Sequence, residues 1–225
     1  MKTPSGWRSG DGALWLSTGA VTLTLLLTVS LLVLLGRVGF GHFWPEPLAT
    51  FTFDPPTGRA PVVAARREHG TFALAEGGME ARTLLRTGNR DTAAPDFRWI
   101  ADASLRSAHF DPAAIELERR SWGPALGLLA PPEAPATERA ALAAGQWARL
   151  EGALTLPPQA RSGTLTLYGA DGSARPLPLA EVVRAWRPNA MDLREKLSLY
   201  FSRIGAFISE PPREANTEGG IFPAL

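Results

Sequence analysis

The feature that most constrains this chain is an apolar segment near its N-terminus, residues 13–35, which contains no charged side chain. As an α-helix it would be about 35 Å long, enough to cross a hydrocarbon core of about 30 Å. Ten of its residues are leucine and three are valine, and both types favour insertion into a bilayer. Its length favours a membrane span over the two alternatives, a cleaved signal peptide and a buried core helix.

Charges and aromatic rings beside this segment predict its orientation. Lys2 and Arg8 precede it, and only Arg37 follows it closely, which favours a cytoplasmic N-terminus. Phe43 and Trp44 follow the span, where aromatic rings prefer the headgroup region. We therefore expect a cytoplasmic stretch over residues 1–12, a transmembrane helix over residues 13–36, and an extracytoplasmic domain over residues 38–189.

Composition excludes several classes of function. The chain has no cysteine, so disulfides, thiolate metal sites and cysteine nucleophiles are excluded. Its formal net charge of +1 gives no strong field that would attract nucleic acid. The 22 glycines and 20 prolines indicate many turns and short elements. The fold class expected is α+β: one N-terminal transmembrane helix, a small mixed α+β extracytoplasmic domain and an amphipathic helix.

Short elements are predicted along the domain. Alternation and β-branched or aromatic content predict strands at residues 50–53, 62–66, 97–101, 114–120 and 163–168, and a turn at 170–173 before a strand or short helix at 177–185. Residues 78–87 are expected to form a helix that Gly88 and Asn89 end in a left-handed cap. A second helix is expected over residues 137–150, with Thr137 as its N-cap.

Residues 191–209 form the clearest helical pattern after the membrane segment. The apolar residues fall at three- and four-residue intervals and so share one face: Leu193, Leu197, Tyr200, Phe201, Ile204 and Ile208. Asn189 is the expected cap, with Asp192 completing an approximate capping box. This amphipathic helix, within residues 190–210, either packs on the domain or lies along the membrane surface.

The pattern of polar residues predicts no enzyme, no metal site and no cofactor. His42, His69 and His109 lack metal-ligand spacing, and neither a phosphate-binding glycine loop nor a nucleophile elbow is present. Strand alternation places Glu116 and Glu118 on the solvent side, where they are expected to be hydrated. Arg82 and Arg86, four residues apart on the expected helix, are weak candidates for an oxyanion site.

Several stretches resemble, in order, one permease subunit of the bacterial phosphate-specific ABC importer. The most specific is residues 213–224, where Arg213, Glu214, Asn216, Glu218, Gly219 and Gly220 lead into an apolar end. Four other stretches agree in chain order. The first is residues 41–45, and the second is residues 83–85 with Gly88, Asn89, Arg90, Asp91, residues 96–97 and Trp99. The third is residues 118–120 with residues 122–123, and the fourth is residues 182–185 with residues 188–191, which include Asn189 and Met191.

The resemblance implies the N-terminal extended region of such a permease, in the bacterial inner membrane with its main domain in the periplasm. Residues 211–225 would be a linker into the channel core. The implied partners are a second permease subunit, an ATPase subunit that would use the ATP, a periplasmic phosphate-binding protein and the lipid bilayer. The segment 131–160 is short, whereas longer relatives of the permease carry a long charged helical insertion at this place. Any coiled-coil role of that insertion therefore does not transfer to this chain.

Two functional hypotheses follow. In the first, the 225 residues are a fragment that lacks the remaining spans and the ATPase-docking loop, and that cannot translocate phosphate alone. In the second, they form a standalone single-pass protein whose periplasmic domain is an interaction or sensing module for phosphate uptake.

Overall fold

In the computed structural model, which describes residues 11–54, 59–74, 77–92 and 95–210, the apolar segment forms one continuous helix. This helix, α1 (Asp11–Gly41), lies in a first compact unit, Met1–Trp44. Within its stretch Gly12–Gly41, an 18-residue window has a mean hydropathy of 2.3, and none of that window is buried within the protein. By length and composition α1 could cross a membrane, as either an anchor or a signal sequence.

Three threonine hydroxyl groups within α1 donate hydrogen bonds to the helix backbone. Thr22 donates to the carbonyl of Thr18 at 2.8 Å, and Thr24 and Thr28 donate in the same way to the residues four positions earlier, at 2.9 and 2.8 Å. Such bonds allow threonine in an apolar environment, because no hydroxyl proton is left without an acceptor.

The second unit, Pro45–Leu225, begins with a five-stranded antiparallel sheet. Its strands are β1 (Leu48–Phe53), β2 (Val62–Ala73), β3 (Met79–Arg86), β4 (Phe97–Ala101) and β5 (Leu105–His109), in the order β4-β3-β2-β1-β5. The expected helix at residues 78–87 is therefore wrong. Residues of high helix propensity, such as Leu84 and Leu85, lie in a strand because β3 pairs with a strand on each side, and tertiary pairing overrides propensity.

A second five-stranded antiparallel sheet follows. It contains β6 (Ala114–Arg119), β7 (Ala125–Leu128), β8 (Thr164–Tyr168), β9 (Ala174–Pro178) and β10 (Val182–Trp186), in the order β10-β6-β7-β8-β9. The expected strands at residues 114–120 and 163–168 are confirmed. The segment 177–185 contains the end of β9, one 3₁₀ turn and most of β10.

The core is continuous between the two sheets. Leu48 and Val63 of the first sheet pack in one buried cluster with Ala114, Leu126 and Leu128 of the second. A larger cluster joins the second sheet to helix α2 (Ala136–Leu154), through residues that include Ala143 and Leu150. The mixed α+β class is thus confirmed, with the loops between strands held against a shared core.

Both helices of this unit begin differently from expectation. Helix α2 starts after Pro135, and Thr137 makes no capping hydrogen bond. Helix α3 (Leu193–Ser209) begins at Asp192, whose side chain accepts from the backbone N–H of Glu195, while the Glu195 side chain accepts from that of Asp192. The capping box therefore belongs to Asp192 and Glu195, and Asn189 is not the cap because its side chain is engaged elsewhere.

Candidate functional site

The loop after β3 is joined to β7 by the side chain of Asn89. Gly88 and Asn89 take left-handed backbone conformations, with φ of 55° and 59°, which these two residue types adopt most readily. The Asn89 amide donates to the carbonyl of Leu126 at 2.7 Å and accepts from its N–H at 3.2 Å. The backbone N–H of Asn89 also donates to the carbonyl of Pro124 at 2.9 Å. Asn89, in the loop that follows β3 of the first sheet, thus forms hydrogen bonds with the backbone at β7 of the second sheet.

Asp91, two residues further on, lies between two arginines of the second sheet. Arg119 on β6 donates to both carboxylate oxygens at 3.0 Å, and Arg175 on β9 donates to both at 3.2 Å. Burial raises the pKa of Asp91, but hydrogen bonds and charge from Arg119, then the charge of Arg175, outweigh it and hold that pKa below its ordinary value. Asp91 is therefore ionised at neutral pH.

Arg119 also fixes the loop between β6 and β7. Its Nε donates to the carbonyl of Gly123 at 2.9 Å and its Nη2 to that of Trp122 at 3.1 Å. Trp122 has a φ of 69°, uncommon for a residue with a side chain, and its ring is 61% exposed. The Arg119 side chain, 4% exposed, is thereby committed to the protein's own groups.

We name this set of residues, Asn89, Asp91, Arg119, Trp122, Gly123 and Arg175, the loop joint. A cavity of about 320 Å³ lies beside it, lined by two arginines and two carboxylates, Arg119, Arg175, Asp91 and Glu181, among other residues. Because the opposite charges are equal in number and Asp91 already binds both arginines, the geometry suits holding two sheets together better than binding an anion. Arg90 bonds within its own loop, to Asp96 at 2.5 and 2.9 Å.

A second group of charges is buried between the sheets. Arg86 on β3 binds Glu116 on β6 through two contacts of 2.8 Å, and the side chains are 8% and 4% exposed. Burial raises the pKa of Glu116, but the charge and hydrogen bond of Arg86 outweigh it and lower that pKa. Glu46 binds Arg67 at 2.8 Å, and there burial prevails and raises the pKa of Glu46.

The expectation that Glu116 and Glu118 are hydrated is wrong. Every residue of β6 is buried, since the strand is covered on both faces, and alternation indicates a solvent face only where one face is open. Glu118 binds Arg184 on β10 at 3.1 and 3.2 Å. Arg184 in turn forms an ion pair with Glu210 at the end of α3, so these charges connect the second sheet to the last helix.

Arg82 and Arg86, the oxyanion candidates, lie on β3 and not on a helix. Arg82 binds Glu80 at 2.5 Å and lies 5.7 Å from the centre of the Phe72 ring, while Arg86 is buried with Glu116. An anion would have to displace a carboxylate from each guanidinium, so the observed contacts do not favour an oxyanion site at either arginine.

Asn189 and Met191 lie in the segment that leads into α3. The Asn189 side chain accepts from the N–H of Leu48 at 3.0 Å and donates to the carbonyls of Leu48 and Asp111 at 2.6 and 2.8 Å. It thereby attaches the start of β1 to the segment before α3. Met191 lines a groove of about 690 Å³ beside α2, β10 and α3.

The remaining predicted residues divide into two groups. Arg213, Glu214, Asn216, Glu218, Gly219 and Gly220 lie outside the described residues. Of the histidines, His69 approaches Asp102 at 3.2 Å, and within residues 11–54, 59–74, 77–92 and 95–210 no group of acidic and histidine side chains is arranged to hold a metal.

Sequence reasoning missed Arg175 and Arg184. Each lies in a short strand, and its partner is distant in the chain: Asp91 is 84 residues from Arg175, and Glu118 is 66 residues from Arg184. Arg184 falls in the resembling stretch at residues 182–185, but that stretch does not indicate its partner. Only the pairing of strands brings these side chains together. The sequence predicts the left-handed pair Gly88 and Asn89 correctly, but at the end of a helix, whereas in the structure it follows strand β3.

Comparison of the chain with protein families, with curated proteins and with solved structures finds no match in any of the three.

Proposed function

We propose that this chain is a membrane-anchored region of a phosphate importer permease subunit, and that its two-sheet domain is a non-catalytic docking module for the other components. The proposal starts from the sequence stretches that resemble such a permease. It is supported by where those stretches lie in the fold, and by α1, which could serve as the anchor.

The observation that carries the proposal is the loop joint. Two of the resembling stretches meet there. Asn89 and Asp91 belong to the stretch within residues 83–99, and Arg119, Trp122 and Gly123 belong to the stretch within residues 118–123. All five are bonded to one another or to the same loops. Residues with a left-handed backbone, and arginines that bond a carboxylate through both of its oxygens, stabilise the fold. A resemblance at such positions supports a shared fold more strongly than one at scattered surface positions.

The proposed location follows from α1. With α1 in the bacterial inner membrane and the N-terminus in the cytoplasm, the domain would lie in the periplasm, where a phosphate-binding protein delivers its ligand. A polar path through a bilayer needs several helices around a cavity, and the described residues offer one candidate span. The second permease subunit would contribute to the path, and the ATPase subunit would hydrolyse ATP.

Co-purification tests the proposal. The tagged chain is expressed with the importer's permease, ATPase and binding-protein subunits from the same genome, extracted in mild detergent and captured. We expect the importer subunits to be retained. The matched control joins residues 1–44 to an unrelated periplasmic domain, and it should retain none of them.

Uptake provides the second readout. Deleting residues 45–210 in frame from the chromosomal gene should reduce phosphate uptake at low external phosphate. Wild-type uptake together with no retained subunit would overturn the proposal. Retention of the phosphate-binding protein without the permease subunits would instead favour the standalone interaction or sensing module.

A further inference from the structure

The last described helix, α3, carries an apolar stripe that the domain leaves uncovered. Leu193, Leu197, Phe201 and Ile208 are 66%, 40%, 65% and 56% exposed. At about 100° per residue these four side chains fall within an arc of about 80°. We call these four residues the α3 stripe.

The rest of the helix explains why the stripe is exposed. Arg203 lies 4.9 Å from the centre of the Trp186 ring, and Glu210, next to the helix end, forms an ion pair with Arg184. No residue of α3 is buried. The helix is therefore attached to the domain in part by charged side chains and leaves the α3 stripe exposed, whereas an ordinary surface helix of a soluble domain turns its apolar stripe toward the core.

We propose that the α3 stripe lies on the surface of the lipid bilayer, with the helix axis parallel to the membrane plane. This inference requires α1 to be a membrane anchor, but it holds whether or not the chain serves an importer. Exposed apolar side chains on one side of a capped helix are the physical requirement for interfacial binding.

The connectivity of the chain favours lipid over other occupants. Six residues, 42–47, separate the end of α1 from Leu48, a covalent reach of at most about 25 Å. Asn189 is hydrogen-bonded to Leu48 on both backbone groups, and α3 begins four residues after Asn189. The end of α1 and the start of α3 are therefore connected through a short linker and the hydrogen bonds between Leu48 and Asn189.

Charge at the edges of the stripe agrees with a lipid surface. On the same helical projection Arg194 borders the apolar arc on one side and Lys196 lies on the other, with Tyr200 and Phe207 between Lys196 and the arc. Basic side chains flanking an apolar arc can reach lipid phosphates while their stems cover apolar surface.

Site-directed spin labelling of the full chain tests the proposal directly, because the chain contains no cysteine. Phe201→Cys and Ile208→Cys place a label in the stripe, and Ser202→Cys and Ser209→Cys are matched neighbours on the other side of the helix, exposed like the stripe residues. Each variant is reconstituted in lipid nanodiscs of phosphatidylcholine and phosphatidylglycerol that hold one copy of the chain.

The readout is the accessibility of each label to oxygen, which concentrates in the acyl region, and to a water-soluble nickel complex. We expect the oxygen-to-nickel ratio to be several-fold higher at positions 201 and 208 than at 202 and 209. Adding Leu197→Glu to the Phe201→Cys variant should return the ratio at position 201 to that of its neighbour. Unchanged thermal unfolding of the variants verifies the fold.

Two results would overturn the proposal. Equal ratios at the stripe and control positions would place the stripe in water. Low accessibility to both reagents at positions 201 and 208 would show that protein covers the stripe. In a disc that holds one copy, that protein would be another part of the same chain. If that protection appears only when discs hold two copies, the stripe is an interface between copies of this chain.

Discussion

A guanidinium and a carboxylate that are buried together have both lost hydration, so each depends on the other for its stability in the protein. Arg86 and Glu116 are such a pair, with side chains 8% and 4% exposed and two contacts of 2.8 Å between the two sheets. Arg82 and Glu80 form a pair of the same chemistry at the surface, with side chains 38% and 28% exposed. Comparing the free energy of unfolding of variants at the two pairs therefore separates the effect of burial from the effect of charge.

Glu116→Ala should destabilise the domain by about 3–5 kcal/mol, because it leaves the Arg86 charge buried without its carboxylate. Glu80→Ala should cost less than about 1 kcal/mol, since water hydrates Arg82. The measurement is denaturant unfolding followed by tryptophan fluorescence. Replacing both partners, Arg86→Met with Glu116→Met, should recover most of the loss. Equal costs for the two single variants would contradict the assignment of a buried, interdependent pair.

Asp91 makes the loop joint sensitive to acid. Its pKa lies below the ordinary value of 3.8, so the folded protein binds this proton less readily than the unfolded chain does. The stabilisation is complete above the ordinary pKa and is lost as pH falls through the lowered one. Asp91→Asn should therefore lower the thermal unfolding temperature at about pH 6, and the difference from the wild type should shrink at about pH 3. A difference that stays constant with pH would show that the carboxylate charge is not responsible.

At the scale of elements, the connection between β3 and β4 depends on one glycine. Gly88 has a φ of 55°, and a Cβ at this position would lie 2.8 Å from the carbonyl oxygen of Pro124, a backbone atom. Gly145 lies within α2, and a Cβ there would meet nothing within 4 Å. The same substitution at the two positions should thus have opposite effects.

Gly88→Ala should destabilise the domain by more than about 1 kcal/mol, because both the backbone conformation and the contact oppose it. Gly145→Ala should stabilise the domain by about 0.5–1 kcal/mol, since alanine loses less conformational freedom in a helix. Denaturant midpoints of the two variants, measured against the wild type, give both values. A neutral Gly88→Ala would indicate that the loop joint tolerates movement of the β6–β7 loop.

The elements differ in how well the sequence predicts them. Alternation located β6, and an uninterrupted apolar run located α1, because each pattern depends on the element alone. The local sequence of β3 predicts a helix because Met, Glu, Ala, Leu and Arg favour helices, and the strands that pair with it are not visible locally. The pattern of α3 identified an apolar face, but only the structure shows that the domain leaves this face uncovered.

The candidate site was predictable only in part. The sequence predicts a left-handed backbone at Gly88 and Asn89, as a helix cap, and places both with Asp91 in a resembling stretch. The structure brings Asp91 to Arg119 and Asn89 to the neighbouring β7 backbone. Arg175 could not be predicted, because its contact with Asp91 spans 84 residues and depends on the strand order of the second sheet. Burial of Glu116 likewise depends on a sheet that covers β6 from the other side.

At the scale of the whole molecule, the proposed membrane location rests on three features: an apolar helix, a domain that follows it after a short linker, and a second helix with an exposed stripe. The proposed arrangement places the domain and α3 on the same side of the bilayer, opposite the N-terminus. Lys2 and Arg8 precede the apolar segment and only Arg37 follows it closely, which favours that orientation.

Cysteine labelling should establish the orientation, because the chain contains no cysteine. Thr137→Cys lies at an exposed position of α2, and Ser5→Cys precedes α1. In intact spheroplasts a membrane-impermeant maleimide should label position 137, whereas position 5 should react only after lysis. The reverse pattern would place the domain in the cytoplasm. A shortened, soluble product labelled at position 137 would show that α1 is a cleaved signal sequence, and the bilayer proposal for α3 would then fail with it, since both depend on a retained anchor.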